Sequence, residues 1–211
     1  VERCGYCDFN TYTPAELQIQ SSLEVISHDY IDLVIKEIEQ SAKVSLAKFV
    51  PSIFFGGGTP TLMQPQDLGR VISAIKANYT LLDNCEVTIE ANPDTVSLDS
   101  LKELRSVGFN RISFGMQSAI PHVLAVLDRT HNPENVAKSV DNARTAGFDN
   151  VSLDLIYGTP GETLEEWEIT VKSALSYGVD HLSAYALIVE DGTKLSAKIK
   201  RGEIARTDDD L

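Results

Sequence analysis

The sequence is poor in cysteine, in basic residues and in long apolar runs. Three cysteines in 211 residues are too few, and too unevenly placed, for the disulfide scaffold of a secreted domain. Lys and Arg number 18 against 31 Asp and Glu, a formal charge of −13. Proteins that live on phosphate backbones draw their affinity from Lys and Arg; nucleic acid is therefore not an expected partner. The same charge weakens contact with an anionic membrane surface. No stretch approaches the roughly 18 apolar residues of a membrane span, and no signal peptide opens the chain. No low-complexity segment or interdomain linker interrupts it. The expectation is a soluble, cytoplasmic protein without a transmembrane segment.

What is present suits one sizeable core, because 43% of the residues are hydrophobic. The chain starts at Val1 without a Met and ends in Asp208, Asp209, Asp210 and Leu211. It reads as one domain over residues 1–211, cut at both ends from something longer.

Two periodicities alternate along it. Ile31, Val34, Ile35 and Ile38 share one helical face, and Leu164, Trp167, Val171, Ala174 and Leu175 share another. The second helix opens with a capping-box spelling, Thr163-Leu164-Glu165-Glu166. Asn132-Pro133 opens a further helix as N-cap and first position. Between helices lie apolar runs of strand length at 52–55, 86–91, 111–115, 151–156 and 181–187. Three helix ends repeat one joint, with Gly108, Gly147 or Gly178 followed by an apolar and then a polar residue. Gly suits the left-handed helix terminus, where other residues meet a Cβ clash. The pattern predicts an α/β fold with a parallel sheet, either a barrel or a doubly wound sheet. The first helix has no strand before it, so a strand upstream of Val1 is expected.

In such folds chemistry collects at the C-terminal ends of the strands, and here the unusual residues fall there. The first strand runs into Gly56-Gly57-Gly58-Thr59-Pro60-Thr61 and the second into Glu90-Ala91-Asn92-Pro93. The third ends at Gly115-Met116-Gln117-Ser118, and the fourth carries Asp154 ahead of Tyr157-Gly158-Thr159-Pro160-Gly161. The fifth ends at Tyr185-Ala186. Singly these motifs are weak. The glycine run fits a tight turn or a backbone that approaches a ligand, and it lacks dinucleotide and phosphate-loop spacings. Glu90 and Asp154 fit a structural ion pair, or acids facing an amine or a ribose. Arg129 fits a surface pair or a carboxylate clamp. Their convergence on one rim outweighs each motif.

Cys4-Gly5-Tyr6-Cys7 fits a zinc half-site, a redox pair or part of an iron–sulfur site. Cys85 precedes its strand, at the end away from the rim, and reads as an inert core thiol. His28, His122, His131 and His181 form no ligand spacing; surface or capping roles suit them, with His131 the exception because it neighbours Arg129.

Together these residues resemble the radical S-adenosylmethionine (SAM) superfamily, in the branch of oxygen-independent coproporphyrinogen III oxidases (HemN) and haem chaperones (HemW). The matching spellings are Cys-Gly-Tyr-Cys-Asp-Phe-Asn at 4–10, Gly-Gly-Gly-Thr-Pro-Thr at 56–61 and Glu-Ala-Asn-Pro at 90–93. Arg-Ile-Ser-Phe-Gly-Met-Gln-Ser follows at 111–118, and Asp-Leu-Ile-Tyr-Gly-Thr-Pro-Gly-Glu-Thr at 154–163. The resemblance implies a partial (βα)6 barrel, a [4Fe–4S] cluster and SAM. In this reading Cys4 and Cys7 are cluster ligands and Tyr6 shields the cluster and the adenine side. Gly57, Gly58 and Thr59 bind the methionine amino group through the backbone. Glu90 and Gln117 contact polar groups of the cofactor, Arg129 its carboxylate, and Asp154 the ribose. Tyr185 and Ala186 line the adenine pocket.

The implied chemistry is electron transfer to SAM, giving methionine and a 5′-deoxyadenosyl radical that abstracts hydrogen from a substrate. The oxidases carry a further Cys two residues after the last ligand, where Phe9 stands here. The sequence therefore resembles the chaperone branch, with haem as cargo and a haem-accepting protein as partner. The alternative is an oxidase that acts on a porphyrinogen. A C-terminal domain that caps the barrel is expected beyond Leu211. The family pattern Cys-x3-Cys-x2-Cys places its first ligand one position before Val1. Three thiolates hold three irons and leave the fourth for SAM; two hold a cluster poorly. The 211-residue chain alone is therefore expected to give no cluster signal by electron paramagnetic resonance after reduction.

Overall fold

The computed structural model describes residues 3–9, 11–13, 16 and 23–206. Val1, Asn10 of the cysteine motif and the acidic end at 207–211 lie outside them. The order is α1 (Leu23–Val44), β1 (Phe49–Phe55), α2 (Pro65–Asn78), β2 (Thr80–Ala91), α3 (Leu98–Val107) and β3 (Arg111–Gln117). It continues with α4 (Pro121–Val126), α5 (Glu134–Thr145), β4 (Asn150–Tyr157), α6 (Leu164–Ser176), β5 (His181–Ala186) and α7 (Lys194–Lys200). Short 3-10 turns follow β1 and β2.

All strand pairs are parallel and the spatial order is the chain order, β1-β2-β3-β4-β5. A doubly wound sheet reverses its strand order part-way; this one does not, so it is barrel wall. Side chains alternate across each strand, and the two faces differ in kind. Ile89, Ile112, Phe114, Met116, Leu153 and Leu155 point one way and are buried. They form one cluster with Leu68 and Ile72 of α2, Leu101 and Leu104 of α3, Val136 and Val140 of α5, and Ala174 of α6. Each of these side chains larger than Ala contributes about 1.5–3 kcal/mol by leaving water. The opposite face carries Thr88, Glu90, Arg111, Ser113, Gly115, Ser152, Asp154 and Ser183. Polar pairs knit it, with Ser113 Oγ donating to Asp154 Oδ2 at 3.0 Å and Arg111 Nη1 to Thr88 Oγ1 at 3.3 Å.

The three joints adopt the expected left-handed conformation, φ being 121° at Gly108, 92° at Gly147 and 67° at Gly178. Their polar residues do more than end a helix. Asn110 accepts from the Val87 N–H at 2.7 Å and donates to the Cys85 carbonyl at 2.9 Å, and Asp180 accepts from the Val151 N–H at 2.7 Å. An arginine in the last turn of one unit then grips the joint of the next. Arg105 of α3 donates to the Gly147 carbonyl at 2.6 Å and to Asp149 at 3.0 Å. Arg144 of α5 donates to the Gly178 carbonyl at 3.1 Å and to Asp180 at 2.6 Å.

Some expectations shift. β2 begins at Thr80, because residues 80–81 pair with Phe49 and Val50 beyond a register shift. Cys85 accordingly lies inside β2 rather than before it, and it is buried. The box at Thr163 forms in full, with Thr163 Oγ1 accepting from the Glu166 N–H and Glu166 Oε2 from the Thr163 N–H. On α6, however, Leu164 and Leu175 are exposed while Ala174 is buried. Pro133 takes the cap position of α5, and Asn132 Oδ1 accepts from the Glu134 N–H at 3.1 Å.

Replacing Asn110 by Ala leaves the Val87 N–H and the Cys85 carbonyl unpaired. Urea unfolding of Asn110→Ala is expected to show a loss of about 1–3 kcal/mol.

Candidate functional site

The cysteine loop closes a turn, the Cys7 N–H reaching the Cys4 carbonyl at 3.3 Å. Its seat is built from three directions. The Gly5 N–H donates to the Leu127 carbonyl at 3.3 Å, and the Leu195 N–H of α7 donates to the Gly5 carbonyl at 2.8 Å. The Tyr6 ring packs against Val123, Leu127 and Ile156. Ile156 alternates with Leu155 and so faces the polar side; the loop therefore sits over the C-terminal rim of that face. Burial pushes the Tyr6 phenol well above its ordinary pKa, although the Arg129 charge opposes it. The hydroxyl stays protonated.

Arg129 joins the loop to the sheet. Its Nη1 donates to Cys4 Sγ at 3.3 Å and its Nη2 to the Gly115 carbonyl at 2.8 Å. The third donor, Nε, is buried and has no partner among the described residues. The end of β3 is irregular at this point. The register with β4 shifts between Gly115 and Gln117, and Gln117 has φ 62°. A side chain at 115 would stand 2.8 Å from Arg129 Nη2 and 2.9 Å from Gln117 Nε2. Only Gly admits both polar groups so close to the strand.

A second set lies at the ends of β1, β2 and β4. The Gly57 N–H donates to Glu90 Oε2 at 3.1 Å. Burial raises the Glu90 pKa, the Gly57 N–H opposes this, and the Asp154 charge adds to the rise. Gly57, at φ 123°, needs to be Gly for its own backbone. Gly58 has no such reason, and a Cβ at either position would meet nothing within 4 Å. The loop thus faces open space. Thr59 heads the 3-10 turn at Pro60–Leu62 with no side-chain cap. Tyr185 and Ala186 end β5 opposite Ile156 and Tyr157, both exposed. Thr59 and Tyr185 make no hydrogen bond to either set among the described residues.

His131 is the histidine that stands apart. It is 4% exposed, and neither ring nitrogen has a hydrogen-bond partner among the described residues. Burial, and then the nearby Arg129 charge, push its pKa down to about 4, so the ring is neutral. His28 meets Asp67 at 3.1 Å, His122 meets Glu166 at 2.6 Å and His181 meets Ser152 at 3.0 Å. Sequence reasoning missed Asp128, Leu195 and Lys198, which surround the loop, because no motif marks a residue that acts through its backbone or a distant ion pair.

A family model described as the radical SAM superfamily matches residues 1–174. The chain belongs to the radical SAM superfamily. Its sequence is 43% identical over 210 residues to the haem chaperone HemW of Mycobacterium tuberculosis, covering 99% of this chain and 52% of that protein. The chain thus spans about half the length of the curated relatives it matches. Its fold matches coproporphyrinogen III oxidase (HemN) from Escherichia coli, described as a radical SAM enzyme. The TM-score is 0.82 at 28% identity, over 97% of this chain and 46% of that one. The fold of the radical SAM methyltransferase TsrM from Kitasatospora setae, solved with cobalamin and a [4Fe–4S] cluster bound, is also similar. That TM-score is 0.62 at 15% identity, over 85% of this chain and 35% of that one. A partial radical SAM barrel accounts for the five parallel strands and their helices.

The residues present fit the superfamily's cofactors in chemistry. Two soft thiols share a turn, a guanidinium with a spare buried N–H stands beside one of them, and the glycine loop leaves room before two carboxyls. Among the described residues no group of three or more His, Cys, Asp or Glu could hold a metal ion.

The His131 ring gives a pH test. Its folded pKa of about 4 lies below the ordinary 6.5, so the unfolded chain binds the proton more readily. Stability is therefore full above pH 6.5 and falls as the pH drops toward 4. Urea midpoints measured across that window are expected to fall less in His131→Gln than in the parent protein.

Proposed function

We propose that residues 1–211 are the radical SAM core of a HemW-like haem chaperone. The observation that carries this reading is the 43% identity to HemW over 210 residues. In this proposal Cys4 and Cys7 hold irons, and Tyr6, neutral and packed on the rim, shields them from water. Gly57, Gly58 and Thr59 offer backbone groups to the methionine amine, with Glu90 behind them already holding the Gly57 N–H. Arg129 turns its spare N–H to the carboxylate, Gln117 adds a polar contact, and Asp154, steadied by Ser113, takes the ribose. Tyr185 and Ala186 receive the adenine. The reduced cluster, when bound, supplies the electron that cleaves SAM. The protein's part is to orient the cofactor and exclude water and oxygen. Haem is the proposed cargo and a haem-accepting protein the proposed partner.

The likeness to HemN keeps a second reading open, decarboxylation of coproporphyrinogen III. Phe9 argues against it. Its side chain is exposed on the cysteine loop at the position where the oxidases carry a further thiol. The full-length protein, with its cluster rebuilt anaerobically, should be incubated with coproporphyrinogen III, SAM and a reductant. Chromatography is expected to show no decarboxylated porphyrin while SAM is cleaved or haem is retained. Product over many turnovers would make the protein an oxidase.

A further inference from the structure

We propose that the segment after β5 is a strap on the cysteine loop, in which Lys198 acts through Asp128 as a positioning residue that holds Arg129 against the Cys4 sulfur. This deepens the proposed function, since it rests on Cys4 being a cluster ligand. Three observations meet here. Lys198 Nζ donates to Asp128 Oδ1 at 2.8 Å, across an ion pair about one-third exposed on each side. Asp128 has φ 52°, a conformation that a short polar side chain tolerates but does not favour. Arg129, the next residue, spans from the Gly115 carbonyl to Cys4 Sγ. The pair therefore holds the backbone turn from which the Arg129 side chain is launched.

The same carboxylate also touches the loop. A Cβ on Gly5 would overlap the Asp128 side chain, so the loop rests on this carboxylate. Both backbone groups of Gly5 are clasped as well, the N–H by the Leu127 carbonyl and the carbonyl by the Leu195 N–H. Leu195 is buried, and Thr193 fixes the start of α7 by accepting from the Ser196 N–H at 3.1 Å. The loop is thus held from below by the 127–129 turn and from above by α7. Among the described residues the chain beyond β5 meets this assembly through the Lys198–Asp128 ion pair, the Leu195–Gly5 hydrogen bond and Leu187, which packs on the apolar cluster beneath Tyr6.

A part-exposed ion pair contributes little to global stability, so its removal should act locally. The test uses the full-length protein and the variants Lys198→Ala, Asp128→Asn and Lys198→Arg. Asn is chosen because it tolerates the same backbone conformation. Amide hydrogen exchange is followed by mass spectrometry without a cluster. Electron paramagnetic resonance and a redox titration are recorded after anaerobic reconstitution. In Lys198→Ala and Asp128→Asn, the peptide covering residues 3–9 should exchange at least five-fold faster, with the strands unchanged. The reduced-cluster spectrum and midpoint potential should move, and Lys198→Arg should restore both. Unchanged exchange at 3–9, or acceleration spread over the whole barrel, overturns the strap. If the parent protein assembles no cluster, the ligand reading fails on its own, and exchange still decides the strap.

Discussion

The guanidinium of Arg129 is bonded at one corner to the end of a strand and at another to a cysteine sulfur. The placing of the cysteine loop depends on that bridge. A loop of a few residues has little structure of its own, and two thiols on such a loop are placed only as well as whatever holds them. Here the reference frame is the sheet. The irregular end of β3 turns the Gly115 carbonyl toward Arg129 and brings Gln117 back over the strand. Gly115 has no side chain to obstruct either group. The irregularity is thus the means by which a regular strand offers two polar contacts at one level.

The two-faced sheet is the second condition. One face is apolar and dry beneath four helices, which supplies the core. The other is left to serines, a threonine, an arginine and two acids, several of them buried beneath hydrogen-bonded neighbours. A carboxyl in that setting is only partly desolvated, and Glu90 shows the balance, raised by burial and by Asp154 but eased by the Gly57 amide. Division of labour between faces lets chemistry vary on one side without touching the packing on the other.

Much of this was legible in the sequence because it follows from local rules. Glycine at three helix ends, a box at Thr163 and apolar runs of strand length each have one inexpensive conformation, and the structure adopts it. Gly108, Gly147 and Gly178 spelled out consecutive units, and sequential strand order resolved the barrel from the doubly wound sheet. Burial on α6 was less legible, since periodicity says which residues share a face but not how far a neighbour covers it; Leu164 and Leu175 stay exposed. Cys85 was misplaced because the polar residues ahead of it do not look like strand, yet β2 runs on through them to Thr80 and Leu81, which pair with Phe49 and Val50. Within the site, Glu90, Gly57 and Arg129 were visible by residue type and position. Asp128 and Lys198, seventy residues apart, carry no local signature, and only the tertiary fold brings them together.

The arginines that leave α3 and α5 to grip the following joint give this stretch of barrel wall a nearest-neighbour wiring. Arg105 ties the unit of α3 to the turn before β4, and Arg144 ties that of α5 to the turn before β5. The unit of α5 and β4 is thus fastened on both sides. β3, which bears Gly115 and Gln117, belongs to the unit that Arg105 ropes to its neighbour, so the anchor of the cysteine loop shares its footing with the strand beside it.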